Sequence, residues 1–566
     1  MNYIQRYREW MDGAGFDEET KVELAAIMQN EKEIEDRFFT ELAFGTGGIR
    51  GVMGAGTNRM NIYTVRKATQ GLANYILKNT NNGSVAIAYD SRRLSAEFAE
   101  EAALVLNGNG IQTYLFDALR PTPELSFAVR ELKCTAGIVV TASHNPPEYN
   151  GYKVYWSDGG QVPYPRDGEI IAEVNQITDY TSIKVMKKSV AEANGLFHMI
   201  GKEIDDTFIA AVLEQTIDRS AISEAGLVVV YTPLHGTGNI PVRRVLREAG
   251  FRNVYVVPEQ ELPDADFPTV GYPNPEDREA FALALSLAKK VGADVAIATD
   301  PDADRIGVAA REGDKYTLLS GNMTGALLTE YILSSKKLPR NGAVISTIVS
   351  TDMTEKIAKA YGIDYFEVLT GFKYIGEKIK QFEDSGSHEF LFGFEESYGA
   401  LAGTHARDKD AVVASLLVCE MAAYYKRRGM SLCDGLNELY EKYGFYRESV
   451  ESITLKGVEG LSNIRKIMSR LRDTPPVVLG NYKVTQIRDY QSGKIKNLVT
   501  GKECRTQLPV SNVLYFVFED ESWVCIRPSG TEPKIKVYFG VKAGTLAKAD
   551  AKLSVLVEAA MKEIMR

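Results

Sequence analysis

The chain has 566 residues, 45% of them hydrophobic and 25% charged, with a formal net charge of −9 at pH 7. That length points to about four domains. The acidic balance disfavours non-specific nucleic-acid binding, and no apolar run approaches the roughly 18 residues of a membrane helix.

Met1–Arg6 leads into no apolar secretory segment. The five cysteines are scattered and never spaced Cys-x-x-Cys. Both features fit a cytoplasmic protein without a disulfide framework or zinc site, and no obligate protein partner is evident.

The first 40 residues read as helix, because charged and apolar residues mix at helical spacing through Val22–Met28. Short apolar runs then recur, each ending in a polar or Gly-rich loop. Val85–Tyr89 precedes Asp90-Ser91-Arg92, and Gly137–Val140 precedes Thr141. Leu227–Tyr231 precedes Thr232–Gly236, Asp294–Ala298 precedes Thr299-Asp300, and Phe390–Phe392 precedes Gly393. Helical patterns lie between them. Ser95 is expected to cap a helix over 96–107, and Pro241 to start one ending at Gly250.

Continuous apolar strands alternating with helices predict α/β layers with mostly parallel strands. Ligands gather at the carboxyl ends of such strands. The last segment differs. Ser452–Leu455, Tyr482–Thr485, Val513–Val517 and Ile535–Tyr538 read as antiparallel strands with one wet face, followed by an Ala- and Lys-rich helix. The expected domains are 1–205, 206–320, 321–446 and 447–566: three α/β domains and a C-terminal α+β domain.

Thr141-Ala142-Ser143-His144-Asn145-Pro146 delivers a hydroxyl, an imidazole and an amide at a strand end, followed by a proline pair that stops both helix and strand. Ser143 could be a phosphate carrier, an acyl nucleophile or a turn residue. Acyl chemistry lacks Gly-x-Ser-x-Gly. In extended chain His144 and Ser143 would diverge. The other histidines (His198, His235, His388, His405) show no HExxH spacing and read as structural or surface residues.

Asp300-Pro301-Asp302-Ala303-Asp304-Arg305 places three carboxylates after a strand. Extended, alternate positions lie roughly 6.5 Å apart, too far for one small cation. A curled loop gathers them, and three hard oxygens with open positions suit Mg²⁺. The alternative is a solvated acidic turn.

The glycine-rich stretches carry no nucleotide motif. Arg50 stands where Gly45–Gly51 would need its third glycine, Pro241 where 236–241 would, and Glu377 where a P-loop lysine belongs in 371–378. Flexible backbone around Arg50 and Lys373 does suit approach to oxyanions. Arg527–Lys534 gathers a guanidinium, two hydroxyls, a glycine amide and an ammonium, a set suited to phosphate; incidental hairpin charge is the alternative. Gly393–Gly399 pairs Glu395 and Glu396 with Ser397, suited to sugar hydroxyls. A glycosidase pair is disfavoured because adjacent residues rarely flank one bond.

In chain order these loops resemble the α-D-phosphohexomutase superfamily: Thr141–Pro147 with Asn150–Lys153, Asp300–Arg305, Gly393–Gly399 and Arg527–Lys534. Gly45–Gly51, Asp-Pro-Asp-Ala-Asp-Arg and Gly-Phe-Glu-Glu-Ser-Tyr look like its phosphoglucomutase/phosphopentomutase branch. The resemblance implies three similar α/β domains with mixed sheets plus the α+β domain, arranged around a central cleft.

It implies that Ser143 carries a phosphoryl group, and that Asp300, Asp302, Asp304 and a phosphoserine oxygen hold Mg²⁺. Arg50, Arg305, Lys153 and Lys409 would surround the reacting phosphate. Glu395 and Ser397 would hold sugar hydroxyls, and Arg527, Ser529, Gly530, Thr531 and Lys534 the non-reacting phosphate. Thr370, Gly371 and Lys373 would help tell one sugar orientation from another.

Glucose 1,6-bisphosphate is the expected intermediate and activator in interconverting glucose 1- and 6-phosphates. Phosphopentomutase, phosphomannomutase and Mg²⁺-dependent sugar phosphatase activities are the alternatives. Candidate bases are His144, Lys153 and Lys409; the lysines would need depressed pKa values. Gly399 stands where some relatives carry a histidine, which favours His144.

Overall fold

The structure, a computed structural model, describes residues 2–42, 48–455, 457–529 and 534–566. It divides into two units. The first comprises 1–319, 372–390 and 398–429; the second comprises 320–371, 391–397 and 430–566.

The first unit opens with three helices, Tyr3–Asp12, Glu18–Ala26 and Glu31–Phe38, capped by the side chains of Asn2, Asp17 and Asn30. Each cap accepts backbone N–H groups that the first helical turn cannot satisfy. Trp10, Phe38 and Tyr63 pack edge to face there.

Its first sheet runs Gly48–Val52, Tyr149–Trp156, Ala136–Val140, Ser84–Tyr89, Gln112–Phe116, Phe197–Ile200. The last four strands are parallel; Tyr149–Trp156 is antiparallel to both its neighbours. The second sheet runs Lys315–Leu319, Ile306–Glu312, Val295–Thr299, Val228–Thr232, Asn253–Val256, with the last three strands parallel and the first two antiparallel.

Most strands of both sheets run parallel, as expected, and the antiparallel ones make the sheets mixed, as the family resemblance implied. The cause is loop length. The connections 141–148 and 300–305 are too short for a crossover helix, so the chain folds straight back as a hairpin. Both hairpin loops carry the chemistry singled out above.

Two helix expectations change in detail. Ser95 is the first residue of the helix Ser95–Gly108, not its cap; its hydroxyl donates to Asp90 Oδ1 at 2.7 Å. The helix Asn239–Ala249 starts two residues before Pro241 and ends, as expected, at Gly250 in the left-handed region. Proline fits the first turn because no N–H partner exists there.

In the second unit Ser320 caps the helix Gly321–Ser335. Gly342–Thr347 pairs in parallel with Asp364–Val368, and strand residues 391–395 lie on its other side. The chain ends in an antiparallel sheet over which the helix Leu546–Ile564 packs, burying Phe516, Val537, Phe539 and Leu556. Among the described residues no helix is long and apolar enough to cross a membrane.

Candidate active site

The fully buried strand Ala136–Val140 ends at Thr141, whose hydroxyl accepts the Ser143 N–H at 2.7 Å. Ser143 adopts φ +52°, and its Oγ donates to Asp300 Oδ2 at 2.7 Å. His144 Nδ1 lies 3.2 Å from the same Oγ. The expected divergence of the two side chains is thereby overturned: an extended chain would separate them, but the left-handed turn at Ser143 swings them together. Gly151 stands behind this loop, where a Cβ would come within 2.4 Å of Thr141 O. Only glycine allows that approach.

The curl expected of the carboxylate loop is present. Ala303 has φ +49°, and Asp300 Oδ1 accepts the backbone N–H groups of Asp304 and Arg305, each at 3.0 Å. One oxygen from each of Asp300, Asp302 and Asp304 comes within 4.8 Å of the others, and all three residues are buried.

Lys153 Nζ donates to Asp302 Oδ2 at 2.8 Å and to Asp304 Oδ2 at 3.4 Å; Lys409 Nζ lies 3.0 Å from Asp304 Oδ2. Two ammonium groups thus face three carboxylates. Asp302 Oδ1 and Asp304 Oδ1 are buried and find no hydrogen-bond partner among the described residues. Orphaned carboxylate oxygens in so tight a group fit a hard divalent cation.

The electrostatics follow from this crowding. Burial and the charges of Asp302 and Asp304 push the Asp300 carboxyl well above its usual range. Burial works the same way on Asp302, but the Lys153 ammonium outweighs it and keeps that group ionised. The lysine pKa depression expected of a base is not found at Lys153. Burial lowers it, but Asp302 and Asp304 more than compensate, so its proton is held more firmly than usual. His144 is pushed well below its ordinary value by burial and by Arg305 and Arg50, and stays neutral.

Arg50 sits on the strand Gly48–Val52 and donates to Asn145 Oδ1 at 3.1 Å. Arg305 donates to Glu276 Oε1 at 2.6 Å. Lys373 lies in the same unit, 3.6 Å from Asp167 Oδ2. Gly45–Gly47 lie outside the described residues.

Several supporting residues escaped the sequence reading. Thr122 Oγ1 donates to Asp302 Oδ2 at 2.8 Å, and its N–H to Asp302 O at 2.9 Å. Tyr155 donates to Asp408 Oδ2 at 2.7 Å, beside Lys409. Thr237 braces the carboxylate loop through Pro301 O, with its N–H at 2.8 Å and its hydroxyl at 3.0 Å. That is where the glycine-rich 236–238 loop goes: a Cβ at Gly236 would meet Pro301 Cα at 2.5 Å. For Thr237 the available signal was a glycine-rich loop just past a strand; Thr122 opens a helix and Tyr155 lies within a strand, and no local pattern marked either.

The second unit groups the remaining candidates. Glu395 ends a buried strand and Glu396 opens the turn that follows. Ser397 Oγ donates to Glu395 Oε1 at 2.8 Å, and Thr347 Oγ1 to Glu396 Oε2 at 2.9 Å. Burial and Glu395 raise the Glu396 carboxyl to about 7. Arg527 lies in the strand Trp523–Pro528, where burial disfavours its charge but Tyr538 and Glu396 more than restore it.

The Ser529 N–H donates to Lys534 O at 2.7 Å, bringing those two residues together at the loop's base. Gly530 and Thr531 lie outside the described residues. Thr370 Oγ1 is buried and finds no hydrogen-bond partner among the described residues, and Gly371 has φ +120°.

Four family descriptions match in order: phosphoglucomutase/phosphomannomutase alpha/beta/alpha domain I over 41–181, domain II over 206–313, domain III over 320–443 and the C-terminal domain over 479–551. Phosphoglucomutase of Staphylococcus aureus (strain MRSA252) is 38% identical over 533 residues, 94% of this chain and 95% of that protein.

A phosphoglucomutase/phosphomannomutase family protein of Burkholderia thailandensis superposes with TM-score 0.68 at 18% identity, covering 93% of this chain and 97% of that one. The open form of pp63/parafusin from Paramecium gives 0.67 at 17%, covering 93% and 95%. These two likenesses bear on the fold alone.

Proposed function

We propose, because this chain belongs to the phosphoglucomutase/phosphomannomutase family, that it interconverts glucose 1-phosphate and glucose 6-phosphate with Ser143 as the phosphoryl carrier. The observation that carries this is the Ser143 hydroxyl, held 2.7 Å from Asp300 inside a buried three-carboxylate group.

Asp300, Asp302 and Asp304 would hold Mg²⁺, with phosphoserine supplying a further oxygen. Bound there, the ion neutralises charge on the transferring group.

The chain's own residues do the rest. Arg50, Arg305, Lys153 and Lys409 concentrate positive charge around Ser143 in a protein whose net charge is −9. Phosphoryl transfer consists mostly of positioning and charge stabilisation, and these groups provide both. A sugar hydroxyl oxygen forms the new bond to phosphorus while the bond to Ser143 Oγ breaks. The hydroxyl proton passes to the neutral imidazole of His144, and that ring, 3.2 Å from Ser143 Oγ, hands a proton to the serine oxygen as it leaves phosphorus. Lys153, bound by two carboxylates, is the poorer acceptor.

The product of this half-reaction is glucose 1,6-bisphosphate and a free Ser143. Return of the other phosphate to Ser143 completes the cycle. Glu395 and Ser397 would take sugar hydroxyls. Arg527, Ser529 and Lys534, with Gly530 and Thr531, would anchor the non-reacting phosphate. Thr370, Gly371 and Lys373 would sense the sugar's orientation.

One assay tests this: follow isomer and inorganic phosphate together from glucose, mannose and ribose 1-phosphates. The expected result is isomer formed fastest from glucose 1-phosphate with little phosphate released. Phosphate without isomer would make the protein a phosphatase, and preference for ribose 1-phosphate a pentomutase.

A further inference from the structure

Arg92 follows the strand Ser84–Tyr89, and its side chain is wholly withdrawn from solvent. Both of its terminal nitrogens donate to a single loop. Nη1 donates to Pro146 O at 2.8 Å and Tyr149 O at 3.1 Å. Nη2 donates to Ser143 O at 2.5 Å and also to Asn145 O. Four carbonyls within seven residues are thus gathered by one side chain.

The charge is balanced from behind. Asp90 Oδ2 lies 3.3 Å from Arg92 Nε, Asp90 Oδ1 accepts the Arg92 N–H at 3.0 Å, and the Phe267 ring lies 5.0 Å from the guanidinium carbon. The neighbouring chain is tied to the same loop, since Asn150 Nδ2 donates to Arg93 O at 2.9 Å and Ser95 Oγ at 3.0 Å.

We propose that Arg92 is a positioning residue for phosphoryl transfer, clamping the 143–149 loop so that Ser143 stays in its left-handed turn with Oγ aimed at the carboxylate group. The role presupposes the phosphoryl carriage by Ser143 proposed above. A non-glycine residue at φ +52° persists only where its surroundings impose that conformation. The carbonyl of Ser143 itself is one of the four that Arg92 holds.

Arginine is required by geometry. Its planar fork reaches several acceptors in fixed directions, whereas lysine offers a single point of attachment. Being buried, Arg92 cannot take a phosphate from solvent, which distinguishes it from a substrate-binding arginine. Loosening the clamp lets Oγ wander, and misplacement of about 1 Å costs on the order of 100-fold in rate.

The test uses full-length Arg92→Met and Arg92→Lys. Phosphate uptake on Ser143 from glucose 1,6-bisphosphate is timed by intact-mass spectrometry, with kcat, KM and melting temperature measured alongside. We expect phosphate uptake and kcat in Arg92→Lys to fall together by at least about 30-fold, with KM for glucose 1-phosphate within about 3-fold of wild type. Arg92→Met should fall further; if it does not fold, Arg92→Lys decides by the same criterion.

Phosphorylation of Arg92→Lys at the wild-type rate, or a KM that rises in step with the loss of kcat, overturns the inference. A wild type that takes up no phosphate overturns the carrier role and this inference together. A wild type that takes it up, beside an equally fast Arg92→Lys, overturns this inference alone.

Discussion

Ser143 Oγ donates to Asp300 Oδ2 at 2.7 Å, although 157 positions separate the two residues in the chain. Two buried strands of two different sheets end at the same place, and each hands over one reactive group. Ser143→Ala removes the hydroxyl without touching the carboxylates. Turnover should drop at least about 10⁴-fold, as expected when a nucleophile is lost, while glucose 1-phosphate still binds by calorimetry. Intact-mass spectrometry should find phosphate on Ser143 in active wild type; active enzyme with an unmodified Ser143 peptide would remove the carrier role.

The Thr122 hydroxyl holds one oxygen of Asp302 at 2.8 Å. Partners of this kind orient metal ligands, and losing one typically costs about 10–100-fold in metal affinity. Chelation should abolish activity and Mg²⁺ should restore it. Thr122→Val should raise the Mg²⁺ concentration for half-maximal activity about 10-fold, with kcat at saturating metal nearly unchanged. An unaltered Mg²⁺ titration would show that Asp302 is not a ligand whose orientation matters.

Glu395 accepts from Ser397 at the end of a buried strand. Glu395→Gln keeps the shape and removes the charge. A hydrogen bond to a charged group contributes about 1.5–3 kcal/mol, so kcat/KM should fall roughly 10–100-fold. Glu395 is buried beside Glu396, and removing its charge relieves the repulsion that raises the Glu396 carboxyl, so the melting temperature should move by less than about 4 °C. Thermal unfolding and steady-state kinetics on the same preparation separate the two effects. A large loss of stability with unchanged kcat/KM would make Glu395 structural.

Asp352 accepts from Trp523 Nε1 at 3.0 Å in a cavity of about 640 Å³ that Glu367, Tyr446 and Arg488 also line. Burial, and then the charge of Glu367, pushes its carboxyl up to about 7. Unfolding returns it to an ordinary value near 3.8. Between those values the folded protein holds a proton the unfolded chain has lost. Stability therefore falls as pH rises through this window, and the full penalty applies above about 7. Asp352→Asn should raise the melting temperature by about 2–4 °C at pH 8 and leave it unchanged at pH 4. The same shift at both pH values would contradict a titrating Asp352.

The sequence by itself determined which segments become elements and which loops carry chemistry. Periodicity is local, so the buried strands Ala136–Val140 and Val295–Thr299 were legible from their apolar runs. Loop chemistry is local too: Asp300, Asp302 and Asp304 need a curl, and Ala303 at φ +49° supplies it. Only the tertiary structure decided what depends on partners far along the chain. Lys153 was legible as a cation near the site, but not that Asp302 and Asp304 keep its proton on. Local sequence leaves Ser143 and His144 diverging, because the left-handed turn that joins them is imposed by Arg92 and Gly151, one far back in the chain and one beyond the loop. Pairing partners, register and the field at a buried group are sums over non-local contacts, and a string of residues read in order does not contain them.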